Sequence, residues 1–245
     1  MNLFRLTEAE KAYSMALDLN PDDTTAMLLK GSALYYQKKD EQALLLFNQV
    51  LEKDPGNNAA WIFKVSILKA LGRGDEAVRI SQKAIEKDPK DPIALMNIAY
   101  ALDQLNRKDE ALRYYQRLVD VEPDNTIALM SIANDRIDTG DYYGAIDTAN
   151  RIIAIDPSEK SAYYLKGVAL YRIDLLNEAG VEFDKALAID PEYEAAWTYK
   201  GFTYLKKGDT QNAMNAFDKA LEISPNYYPA QLGKYRIANI MWPGL

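Results

Sequence analysis

The chain has 245 residues, 48% of them hydrophobic and 27% charged, which suits packed interfaces under a soluble outside and excludes a disordered chain. A formal net charge of -7 with no run of lysine and arginine argues against a phosphate backbone, so nucleic acid is not an expected partner. Cysteine and histidine are both absent, which removes disulfides, thiol nucleophiles, zinc sites of the usual kind and the commonest general base. The expectation is a non-catalytic protein with no cofactor and no metal, and neither G-x-S-x-G nor G-x-x-x-x-G-K-[ST] occurs to counter it.

The opening MNLFRLTEAEK carries acids where a secretion signal needs an apolar run, and nowhere do about 18 apolar residues follow one another. No membrane partner is expected, and the localisation expected is cytoplasmic. The first predicted element is a helix over 7–21, in which Thr7 and Glu10 read as a capping box ahead of Ala9, Tyr13 and Ala16. Pro21 closes it and opens a series: Pro55, Pro89, Pro123, Pro157, Pro191 and Pro225 follow at intervals of 34 residues. Such a period means stacked copies that bury their apolar surface against one another, so function is sought on an extended face.

With each proline at the thirty-second position, the copies are 24–57, 58–91, 92–125, 126–159, 160–193 and 194–227. The twentieth position is Ala43, Ala77, Ala111, Ala145, Ala179 and Ala213, where two helices are expected to cross closely. The eighth, facing that crossing, is Gly31, Val65, Ala99, Ala133, Gly167 and Gly201. Larger side chains recur at the fourth position (Met27, Trp61, Leu95, Leu129, Tyr163, Trp197). At the twenty-fourth stand Phe47, Ser81, Tyr115, Ala149, Phe183 and Phe217. Spacings of three, four and seven are helical. Lys38-Lys39-Asp40, Gly72-Arg73-Gly74-Asp75 and Gly208-Asp209 supply turns, so each copy reads as a helical hairpin closed by its proline.

The patterns W-x-x-x-G-x-x-Y, A-x-x-x-F-x-x-A and the final proline resemble the tetratricopeptide repeat, matched fully by Trp197, Gly201, Tyr204, Ala213, Phe217, Ala220 and Pro225. The resemblance spans nearly the whole chain. It departs where the usual leucine before the glycine is Lys30, Lys64, Lys166 or Lys200, read as stems that pack while their ammonium groups reach water. The resemblance implies an all-α, right-handed superhelix (an α-solenoid) of stacked antiparallel hairpins, whose first helices line a concave groove for a peptide or helix of a partner protein. By that resemblance the groove positions are the second, fifth, ninth and twelfth of each copy. Read here, they give Leu28, Ser32 and Tyr35; Ile62, Ser66 and Lys69; Met96, Tyr100 and Asp103; Met130 and Asn134; Tyr164, Val168 and Tyr171; and Thr198, Phe202 and Leu205. Asn97 joins them at a sixth position. Tyr and Met are enriched at contact surfaces, so this apolar, tyrosine-rich set implies an apolar or amphipathic ligand, although some of it would pack only against neighbouring first helices. The lysine and asparagine clamp by which one subgroup of the family holds an acidic C-terminal peptide is absent. Lys185 and Glu182 are expected on the outer face.

Copy 126–159 departs most, with Arg136 where the others carry Leu34, Leu68, Leu102, Leu170 and Tyr204, and with Ala149 on the facing helix. Arg136 either snorkels to the surface or pairs with Asp135, Asp138 or Asp147. Arg73-Gly74-Asp75 is a helix-helix turn rather than an adhesion tripeptide. The last predicted element is a lone first helix, a capping helix over 228–242. Leu3, Phe4 and Leu6 at one end and Ile237, Ile240, Met241 and Trp242 at the other are less polar than a cap needs. Either the chain is cut from a longer protein, in which it would be a regulatory segment, or the ends associate head to tail through Tyr13, Leu232 and Tyr235.

Overall fold

A computed structural model describes residues 3–241, and the side chains of residues 5–238. Trp242 and the side chains of Leu3, Phe4, Ile240 and Met241 therefore lie outside the described residues. The chain divides into two compact units, Met1–Glu122 and Pro123–Leu245. The first holds α1 (Leu3–Leu19), α2 (Thr24–Tyr36), α3 (Asp40–Lys53), α4 (Asn58–Ala70), α5 (Gly74–Lys87), α6 (Pro92–Gln104) and α7 (Lys108–Val121). The second holds α8 (Thr126–Thr139), α9 (Tyr142–Ile155), α10 (Lys160–Arg172), α11 (Leu176–Ile189), α12 (Glu194–Lys206), α13 (Thr210–Ile223) and α14 (Tyr228–Met241). All regular structure among the described residues is helical. Within each unit a helix packs on its neighbours in sequence, and the first helices of successive hairpins also touch: α2 on α4 on α6, and α8 on α10 on α12 on α14.

Local chemistry sets the helix ends. Asp23, Asn57 and Asn125 precede α2, α4 and α8, and each side chain accepts the backbone N–H three residues on, at 3.0 Å. Where an aspartate precedes the repeat proline it makes a tight turn of its own: Asp54, Asp88, Asp156 and Asp190 accept the N–H of Gly56, Lys90, Ser158 and Glu192. Inside every hairpin the same register position is left-handed, occupied by Gly72, Gly140 and Gly208 and by Lys38, Asn106 and Asp174. No heavy atom outside the neighbouring residues lies within 4 Å of where a Cβ would stand on Gly208, so Gly208→Ala isolates backbone strain. It is expected to cost about 1 kcal/mol in urea unfolding with no change in far-ultraviolet circular dichroism.

The N-terminal helix differs from its expected start. It begins at Leu3, a turn before Thr7, so Thr7 and Glu10 are interior positions and form no capping box. The Glu10 carboxylate instead accepts from Gln37 at 2.9 Å and Lys39 at 2.8 Å across the α1–α2 boundary, which holds it below the usual carboxylate range.

The crossing inside each hairpin is built on an alanine that is at most 1% exposed in all six copies. Opposite it, size is exchanged between two helices. A Cβ on Gly31 would lie 2.8 Å from the Phe47 ring, one on Gly167 2.5 Å from Phe183, and one on Gly201 2.6 Å from Phe217. Where the first helix carries Val65 or Ala133, the second carries Ser81 or Ala149 in place of a ring. Ala99 does face an aromatic, Tyr115, whose hydroxyl donates to Asp103 at 2.9 Å and so anchors the ring.

Candidate functional site

The face made by the contacting first helices is aromatic in both units. In the first unit Tyr35 meets Tyr36 and Phe63 edge-on, both at 5.3 Å, and Phe63 stacks flat on Phe47 at 5.0 Å. Tyr100 joins the same cluster, and burial pushes its hydroxyl above the ordinary tyrosine range against a hydrogen bond with Ser66. In the second unit Tyr164 packs against Tyr193 at 5.3 Å and edge-on to Tyr199 at 5.5 Å. Tyr199 continues to Tyr171 at 5.9 Å and to Phe202, also at 5.9 Å, and Phe202 lies 5.1 Å from Phe217. Edge-to-face geometry sets the positive rim of one ring on the negative face of the next. Lys206 over Tyr171 and Arg236 over Phe202 add cations at 4.9 and 5.8 Å.

Against the expected groove residues the outcome is mixed. Leu28, Ser32, Tyr35, Ser66, Met96, Tyr100, Met130, Tyr164, Tyr171 and Phe202 are half-buried, and Lys69 and Asn134 are exposed, as is Ile62. Three expected contacts are corrected. Thr198 is 1% exposed and its hydroxyl donates to the Glu194 carbonyl, while Asn97 is 8% exposed with its carbonyl accepting from Trp61 Nε1. Both sit in seams between packed helices, out of reach of a ligand on this face. Val168 is buried as well.

The polar groups of the set are largely spent within their own helices. Ser32 and Ser66 donate to Leu28 and Ile62 carbonyls and Asn134 to that of Met130, each one turn back. What this face offers a partner is therefore ring surface and aliphatic carbon. Sequence reasoning missed Phe63, Tyr199, Tyr36 and Tyr193. The first two stand at the sixth position and Tyr36 at the thirteenth, which share a helix face with the second, ninth and twelfth. That periodicity was the signal that would have found them.

Arg136 does not snorkel free; it is held across its hairpin. Its guanidinium donates to the Gly144 carbonyl at 2.8 Å and to Thr148 Oγ1 at 2.7 Å, with Asp141 at 3.6 Å. It ties α8 to α9 beside the space that Ala149 leaves. Glu182 is likewise corrected: its side chain is 8% exposed, held by Lys166 at 3.1 Å and Lys185 at 3.0 Å. The arginine of Arg73-Gly74-Asp75 is engaged by Glu41 and Glu76, and the aspartate by Arg107. Of the proposed terminal contacts, Tyr13 and Leu232 are half-buried and Tyr235 is 65% exposed.

A repeat of helical hairpins with an aromatic first-helix face is a class defined by stacking and not by a catalytic centre. Family models described as tetratricopeptide repeat match residues 4–58 and 130–194, 68–134 and 194–227. The chain belongs to the tetratricopeptide-repeat family, which generally serves as a non-catalytic scaffold for protein interactions. Among solved structures it is similar to a tetratricopeptide repeat protein from Parabacteroides merdae, at 17% identity and a TM-score of 0.66, covering 96% of this chain and 93% of that one. It is also similar to MamA from Desulfovibrio magneticus RS-1, at 22% identity and 0.59, covering 68% and 94%. The third is YrrB, described as having an unusual peptide-binding site, at 17% and 0.53, covering 92% and 99%. At these identities the likeness is one of fold. No curated protein matches the chain. Among the described residues, no helix is long and apolar enough to cross a membrane.

Proposed function

We propose that this protein is an interaction scaffold whose aromatic first-helix faces hold an apolar or amphipathic segment of a partner protein. The observation that carries the reading is the run of rings Tyr193, Tyr164, Tyr199, Tyr171 and Phe202 on contacting helices, joined at 5.3 to 5.9 Å. In the first unit Tyr36 and Ile62, 48% and 44% exposed, continue the same chemistry. Lone polar side chains on this face are bonded to their own helix, so affinity comes from buried carbon and ring contact and not from a charged clamp. A peptide-binding relative of the same fold, YrrB, is consistent with the reading.

The test is affinity capture from a lysate of the source organism with the parent and with Tyr36→Ala combined with Tyr171→Ala. A captured protein should be lost or weakened by roughly 2 kcal/mol or more if either ring is a hot spot, with circular dichroism unchanged. A charge reversal at exposed Lys83 on α5 should leave capture intact. Equal losses from both variants would overturn the assignment of the face.

A further inference from the structure

Lys30, Lys64, Lys166, Lys200 and Lys234 share one register, the residue before the eighth position. Acids reach such a lysine from two places. The twenty-fifth position of the preceding copy supplies Asp184 to Lys200 at 2.5 Å and Asp218 to Lys234 at 2.6 Å. The twenty-third position of its own copy supplies Glu182 to Lys166 at 3.1 Å. For Lys64 those two registers hold Asn48 and Ile80, and neither carries a charge. Its ammonium lies instead over the Trp61 ring, 5.6 Å from the centroid, with no hydrogen bond or ion pair among the described residues.

Lys64 also lines a cleft of about 360 Å³ between α3, α4, α5 and the start of α6. Leu51, Ile80 and Ile93 give the cleft its hydrocarbon, and with Ile80 and Ile93 38% and 41% exposed its mouth is apolar and open. Lys30 has neutral residues at both registers as well, Ser14 and Leu46, but it lies in the field of the Glu10 carboxylate and does not line the cleft. Burial outweighs the carboxylates that act on Lys64, Glu76 on α5 and Glu52 on α3, and draws its ammonium below the ordinary lysine range. An amine that is desolvated and held by no counterion gives up its proton more readily and has its lone pair free for carbon. Glu52 and Asp91 in the lining repel a phosphate, so the acyl donor that suits the cleft is uncharged at its reacting group.

We propose that Lys64 is an acylation site, its amine taking a short aliphatic acyl group from a thioester and holding the chain against Leu51, Ile80 and Ile93. The Lys64 Nζ lone pair attacks the thioester carbonyl carbon, a C–N bond forms, and the C–S bond breaks with its electron pair leaving on sulfur. The proton lost from nitrogen ends on that thiolate, so the products are an amide and a thiol. The amide removes the cation from the Trp61 ring. The site is independent of partner binding on the first-helix face.

The experiment exposes the full chain to N-acetyl-S-butanoylcysteamine, an uncharged thioester, and separately to acetyl phosphate, and follows each lysine by peptide mass spectrometry. With the thioester at pH 8, Lys64 should be modified at least about fivefold faster than Lys166, Lys200 and Lys234, and its rate should reach half its plateau at a lower pH than theirs. The lead should shrink with acetyl phosphate and vanish in urea. Asn48→Asp restores the carboxylate register of Asp184 and Asp218 and should bring Lys64 down to the rate of Lys200. Ile80→Glu copies Glu182 and should do the same, which keeps the test decisive if Asn48→Asp fails to fold. Lys64 reacting no faster than the paired lysines, Lys30 reacting as fast as Lys64, an equal lead with acetyl phosphate, or a lead that survives urea or both added acids would each overturn the proposal.

Discussion

Gly201→Val is expected to destabilise the protein by about 1–3 kcal/mol or more, because its Cβ would stand 2.6 Å from a fully buried Phe217 ring. The ring has little room to retreat: Phe202 packs on it 5.1 Å away, and a Cβ added at Gly233 would also meet it. Phe217→Ala alone should cost about 3–5 kcal/mol through the cavity it leaves. The double variant should be more stable than the sum of the two losses by at least about 1 kcal/mol, since valine then occupies part of that cavity. Urea unfolding of the four proteins measures the coupling, and strict additivity would show that the two positions do not share one space. The natural pairs Val65 with Ser81 and Ala133 with Ala149 are the same exchange already made within the chain.

Tyr164→Ala should cost about 3 kcal/mol or more, since the ring is packed by Phe183, Tyr193 and Tyr199 at 6.3, 5.3 and 5.5 Å. Tyr164→Phe keeps those contacts and should cost under about 1.5 kcal/mol near pH 7. The two hydroxyls also predict a pH dependence. Burial raises Tyr164 far above the ordinary value of 10.0, and burial likewise pushes Tyr193 up to about 12. An unfolded chain releases these protons near pH 10 and the folded chain keeps them, so their contribution is complete below pH 10 and declines as pH rises through the folded values. Urea midpoints at pH 8, 10 and 11 should therefore fall with pH, and fall less steeply in Tyr164→Phe. A variant with the parent's slope would mean that Tyr164 is not shielded from water.

The position of α1 shows where local reading stops. Thr7 and Glu10 carry a capping pattern at the right spacing, but the pattern is equally compatible with a helix interior, and Glu10 finds Gln37 and Lys39 on the next hairpin. Nothing local distinguishes a cap from a bridge. The same holds for Arg136, whose partners Gly144 and Thr148 lie across a hairpin while Asp135 and Asp138 are nearer in sequence. Glu182 reads as a surface charge until Lys166 and Lys185 close over it.

The sequence by itself determined the helical hairpins, their register and the alanine at each crossing, because a proline every 34 residues and small residues at fixed spacings depend on chain geometry alone. It also made the first-helix face aromatic, since the fifth, ninth and twelfth positions carry Tyr35, Tyr100, Tyr164, Tyr171 and Phe202. Only the tertiary structure decided which of those residues are spent. Thr198 and Asn97 stand at face positions by period and are buried, Asn97 against the Trp61 indole of the preceding hairpin, while the rings of Phe63 and Tyr199, on the same face by period, pack against Tyr35 and Tyr164.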